Sequence, residues 1–100
     1  MKDLERSIIS KASEVMRSLE DELRVAGLTW SGPDHELWCE DNDTYSSELR
    51  ITLLRDGEID DILEFHIFRD GVALVTVADV DKWLREQVNA TVVVGLSMNQ

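Results

Sequence analysis

Only one cysteine, Cys39, and one proline, Pro33, occur among the 100 residues. A lone thiol closes no internal disulfide, so packing alone must hold the fold. Basic residues are scarce, ten against 21 acids, for a formal charge of −11. That balance argues against direct nucleic-acid binding, which neutralisation of phosphates by Lys and Arg drives. No apolar run approaches the roughly 20 residues a membrane helix needs. The first ten residues, MKDLERSIIS, have no apolar signal stretch. These absences point to a cytoplasmic protein whose direct partner is neither nucleic acid nor membrane.

What is present is globular. Hydrophobic residues make up 43% of the chain and recur periodically, which excludes a disordered tail. Residues 3–26 read as an amphipathic helix with Leu4, Ile8, Ala12, Val15, Leu19, Leu23 and Ala26 on one face. Asp3 suits its first turn, and Gly27 suits a left-handed cap at its end. Residues 28–34 read as a connector. Strands are expected over residues 36–40, 46–55, 61–69 and 72–77, and a second helix over residues 79–89. Thr76 or Asp79 is placed to cap that helix. Residues 91–94 (TVVV) read as a fifth strand or an exposed apolar end. The expected fold is a single α+β domain, residues 1–100. It is a two-layer sandwich in which an N-terminal and a C-terminal helix cover an antiparallel four-stranded meander, in the order α-β-β-β-β-α.

Parity constrains the hairpins. A two-residue Asp70-Gly71 turn pairs Ile67 with Leu74, apolar with apolar. The same turn at Asp56-Gly57 would pair Leu53 with Asp60 and Leu49 with Glu64, which a half-buried sheet rejects. An odd number of residues is needed, so a five-residue loop, residues 56–60, is expected. It would pair Leu53 with Leu63 and Ile51 with Phe65.

The negative charge is uneven. Residues 27–49 hold six acids and no Lys or Arg, and residues 50–71 hold six acids against three arginines. Asp34, Glu36, Glu40, Asp41, Asp43, Glu48, Asp56, Glu58, Asp60, Asp61 and Glu64 form the candidate partner-binding set. A field of one sign attracts basic surfaces and repels nucleic acid. The second sheet face should carry Arg50, Thr52, Leu54, Ile62, Glu64, His66 and Phe68. Trp38 and Phe68 are the candidate anchors for a partner or a homodimer there.

Catalytic and metal constellations are thin. Nucleophile elbows and Gly-rich phosphate loops are missing. His35, Cys39 and His66 are the only imidazole or thiol ligands, short of the four that zinc takes. Residues 41–52 lack the glycine and final glutamate of a calcium loop. Glu64 and His66 share a strand face, an arrangement that an exposed polar couple explains as well as acid–base chemistry does. No cofactor and no metal site are expected.

Helix, antiparallel sheet, helix and acidic character together resemble the frataxin-type sandwich in topology. That resemblance implies an acidic edge that binds iron. The family's central-strand signature, an Asn/Gln-containing strand followed by Trp, has no counterpart between Leu49 and Val77. Lys2, Arg6, Lys11, Arg17 and Arg24 also mix with the acids of the first helix. No residue is carried over.

The leading expectation is a non-enzymatic binding protein that engages a basic protein surface. Its concrete form is an inhibitor or immunity-type protein against a nucleic-acid enzyme, with carboxylates standing in for phosphates. The alternative is a homo-oligomeric structural domain that associates through the sheet face or the C-terminal segment. A metal-binding protein is a third reading.

Overall fold

Two helical apolar stripes and one apolar sheet face account for the architecture. The computed structural model describes residues 2–40 and 44–98. In chain order it holds α1 (Lys2–Ser18), α2 (Glu20–Val25), β1 (Thr29–Glu40), β2 (Thr44–Arg55), β3 (Glu58–Arg69), β4 (Val72–Ala73) and α3 (Val77–Met98). The strands form one antiparallel sheet in the order β1-β2-β3-β4. The chain is thus an α+β domain in the expected α-β-β-β-β-α order.

The first helical stripe is where the periodicity put it, but the helix breaks at Leu19. Ile8, Ala12, Val15, Met16, Leu23 and Ala26 are all buried. The end of α2 is closed as Gly27 predicted. Its φ is +81°, and the N–H groups of Gly27 and Leu28 donate to the carbonyls of Arg24 and Leu23 at 2.9 and 2.8 Å. Arg55 Nη1 donates to the Ala26 carbonyl at 3.0 Å, tying that end to β2.

The residues read as a connector extend β1 instead, so β1 has 12 residues rather than five. A bulge between Ser31 and Asp34 absorbs Gly32 and Pro33. Gly32 is required there. Its φ is +104°, and a Cβ would lie 3.0 Å from the Arg50 carbonyl oxygen.

The β2–β3 connection corrects the expected five-residue loop. Asp56 and Gly57, with φ of +54° and +80°, make a tight two-residue turn, and Arg55 pairs with Glu58. The odd residue that parity demanded is supplied by a bulge at Asp60, between the pairs Leu54–Ile59 and Leu53–Asp61. Ile51 then pairs with Leu63, and Leu49 with Phe65. A bulge re-phases the ladder as an odd loop would, and it leaves Asp56-Gly57 free to take its preferred turn.

A second bulge in β3, between the pairs Glu48–His66 and Ser47–Phe68, puts Ile67 and Phe68 both into the core. Phe68 is therefore not a surface anchor. It is 4% exposed and lies 5.5 Å from Tyr45, ring centre to ring centre.

β4 is only two residues long, and the chain turns into α3 at Val77. Thr76 and Asp79 form a reciprocal cap. The Asp79 N–H donates to Thr76 Oγ1 at 3.1 Å, and the Thr76 N–H donates to Asp79 Oδ2 at 2.9 Å. α3 then runs through residues 91–94, so no fifth strand forms there. Val80, Leu84 and Val88 are buried, and Val92 continues the stripe against the core. That spacing outweighs the strand preference of β-branched valines. Both long helices lie on one side of the sheet, and Leu49, Ile51, Leu53, Leu63 and Ile67 fill the space between. The domain is an elongated slab of 52 × 24 × 16 Å, because its three long strands have 12 residues each.

Candidate functional site

The sheet face turned away from the helices is open. Side chains paired across an antiparallel ladder share a face. The registers therefore set Asp34, Arg50 and Glu64 in one row and Glu36, Glu48 and His66 in the next. Arg50 is the cation at the centre of this group. Its guanidinium lies 3.4 Å from Glu36 Oε2, 3.5 Å from Glu64 Oε2 and 4.0 Å from Glu48 Oε2. One arginine thus faces three carboxylates, with Asp34 directly across the ladder.

The crowding has an electrostatic consequence at Glu48. Its side chain is 14% exposed, and burial pushes its pKa above the ordinary value. A hydrogen bond to Glu64 and repulsion from that carboxylate push the same way, while Arg50 and His66 pull it partly back. Glu48 therefore keeps a proton more readily than a free glutamate.

Trp38 flanks the group. It is 37% exposed and meets His66 edge-on at 5.8 Å between ring centres. His66 also contacts Arg69 Nη2 through Nδ1 at 3.2 Å. Farther along the same face Leu54, Ile59 and Ile62 make an apolar end, with Ile59 and Ile62 exposed.

The structure thus divides the acidic set. Asp34, Glu36, Glu48 and Glu64 share the open face with Trp38. Asp56, Glu58, Asp60 and Asp61 lie at the far end, around the β2–β3 turn, all exposed. There Arg55 Nε sits 3.3 Å from Asp60 Oδ1. Glu40 belongs to β1, but its side chain lies outside the described residues, as do Asp41 and Asp43 entirely.

One polar group escaped the sequence reading. Glu5 of α1 is buried and accepts the Tyr45 hydroxyl. Its Oε2 lies 2.6 Å from His35 Nε2. Neither atom has an aligned hydrogen bond among the described residues, so the contact is a close pair by distance. The signal was Glu5's place three residues before Ile8, in phase with the buried stripe. This trio joins α1 to the β1–β2 hairpin beside a shallow apolar groove lined by Ile9 and Leu37.

Among the described residues no group of three His, Cys, Asp or Glu side chains is arranged to hold a metal ion, and no helix is long and apolar enough to cross a membrane. No known family, curated protein or solved structure matches the chain.

Proposed function

We propose that the protein is a non-enzymatic, cytoplasmic binding protein that presents an acidic surface to a basic surface of another protein. The concrete form is an inhibitor of a nucleic-acid enzyme, whose phosphate-binding groove the carboxylates would occupy. The observation that supports it is the open sheet face, where Asp34, Glu36, Glu48 and Glu64 surround Arg50 beside the exposed Trp38. Such a face speeds encounter with a positive partner and rejects negative ones. Trp38 adds the kind of aromatic contact that dominates interface energies.

The test is association with a panel of basic nucleases, comparing the native chain with a Glu36→Lys/Glu64→Lys variant. Both positions are exposed, so the fold should survive. The reading expects one nuclease to bind and to be inhibited, with an association rate that falls steeply with salt and by about tenfold or more in the variant. Equal binding by the variant at low salt removes the reading.

A second reading, self-association, draws on Val93 and Val94, which stand exposed on α3. Sedimentation decides it: a dimer lost on Val94→Glu supports this reading, and a concentration-independent monomer removes it. The net charge of −11 works against two copies meeting.

A further inference from the structure

β3 has 12 residues, and β2 pairs with it from end to end. Among the described residues its other edge is nearly unpaired. β4 pairs only with Phe68 and Arg69, and the Leu74 N–H adds one bond, to the Ile67 carbonyl at 2.8 Å. Along residues 58–66 no described strand takes that outer edge. Alternate residues of an antiparallel strand turn their N–H and C=O groups to opposite sides. Ile62 marks the outward set, because its N–H is taken by Asp61 Oδ1 at 2.8 Å. Glu64 and His66 follow at two-residue steps.

Such an edge is a template for another strand. Around it Glu58, Ile59, Asp60, Asp61, Ile62 and Glu64 are all exposed. Beside its first half a groove of about 270 Å³ runs between β3 and α3, with Asp60 and Asp61 on one wall and Ala90 and Val94 on the other. Arg55 already engages Asp60. Among the described residues, the hydrogen bond shown for Asp61 is the one it accepts from the N–H of Ile62.

We infer that the outer edge of β3 receives an extended segment of a partner chain that alternates Lys or Arg with apolar residues. The backbone of that segment pairs with Glu64, His66 and Ile62, displacing the Asp61 carboxylate from the Ile62 N–H. One basic side chain enters the groove, its alkyl stem against Ala90 and Val94 and its cation at Asp61. On the opposite face the apolar residues of the segment lie along Ile62. A second copy of this chain is the wrong occupant, because two such edges would bring Glu58, Asp61 and Glu64 against their own kind. The inference rests on the reading of a basic partner, but not on the open face as its seat.

The probe is a fluorescent peptide of about ten residues alternating Lys and Val, the length needed to span that edge. The expected results are saturable binding and slowed hydrogen exchange at the amides of Ile62 and Glu64. Binding should weaken by about tenfold in Ile62→Pro, which removes an outward N–H without touching the β2 ladder. A peptide N-methylated at alternate residues should bind as weakly to the native chain, which keeps the test independent of how Ile62→Pro folds. Glu36→Lys should leave peptide binding unchanged, whereas it impairs the open-face reading, so the two can fail separately. No saturable binding by about 1 mM would mean that the acids only guard the edge, and the inference falls. It falls equally if the N-methylated peptide binds as well, or if binding leaves the β3 amides unprotected.

Discussion

Glu5 and His35 face each other across the seam between α1 and β1, with Oε2 2.6 Å from Nε2. A buried carboxylate is tolerated where partners replace water, and here they are an imidazole and the Tyr45 hydroxyl. Glu5→Ala removes the acceptor of this Tyr45 hydrogen bond and the close partner of the His35 imidazole. The expected cost is about 3 kcal/mol, the lower end for breaking a buried pair. Urea denaturation measures it, and Glu5→Gln should lose less because it still accepts from Tyr45. A loss indistinguishable from that of an exposed alanine substitution would show that the pair is not a structural tie.

Phe68 sits in the core against Tyr45, so truncating it should act on folding rather than on association. Phe68→Ala should cost about 3–5 kcal/mol in chemical denaturation. The sedimentation coefficient of the folded fraction should not move. A stable variant with altered assembly would contradict the buried placement.

Glu48 gives a pH-dependent prediction. Its folded pKa lies above the ordinary value, so its contribution favours the native state at low pH and is lost as pH rises through the folded pKa. Glu48→Gln, which mimics the protonated form, should therefore raise the melting temperature near neutral pH. The gain should shrink as pH falls through the raised folded pKa towards the usual glutamate value, and be gone below it. A gain that persists undiminished in acid would assign the effect to packing instead.

Thr76 and Asp79 hold the start of α3. Thr76→Ala removes the acceptor for the Asp79 N–H and should cost about 1 kcal/mol. The Asp79 carboxyl is held below its ordinary pKa by the Thr76 N–H and then by the Thr76 hydroxyl. Its share of stability is present above the unfolded carboxyl's pKa and fades as pH falls through the lower folded value. Thermal unfolding of Thr76→Ala against the native chain, followed across that range, should show the difference narrowing in acid.

Local chemistry was legible wherever neighbours in sequence decide the outcome. The heptad-like spacing of Ile8, Ala12, Val15 and Leu23, the Gly27 cap, the Thr76–Asp79 cap and the Asp70-Gly71 turn are short-range features, and each forms. Strand parity is nearly as local. It required one extra residue between β2 and β3, but it could not distinguish a longer loop from a bulge at Asp60, since both restore the same alternation. Parity placed Glu64 on the face of Arg50, but the gathering of Asp34, Glu36, Glu48 and Glu64 around that arginine depends on pairing across three strands.

By itself the order of residues determined the α+β class, the two helical stripes and the excess of carboxylates, since each depends on periodicity or on composition. Only the tertiary structure decided that residues 91–94 would be helix, that Phe68 would turn inward, that Glu5 would meet His35, and that no described strand would take the outer edge of β3 along residues 58–66. Those outcomes depend on contacts between residues far apart in the chain, and such contacts exist only after the sheet and helices have packed.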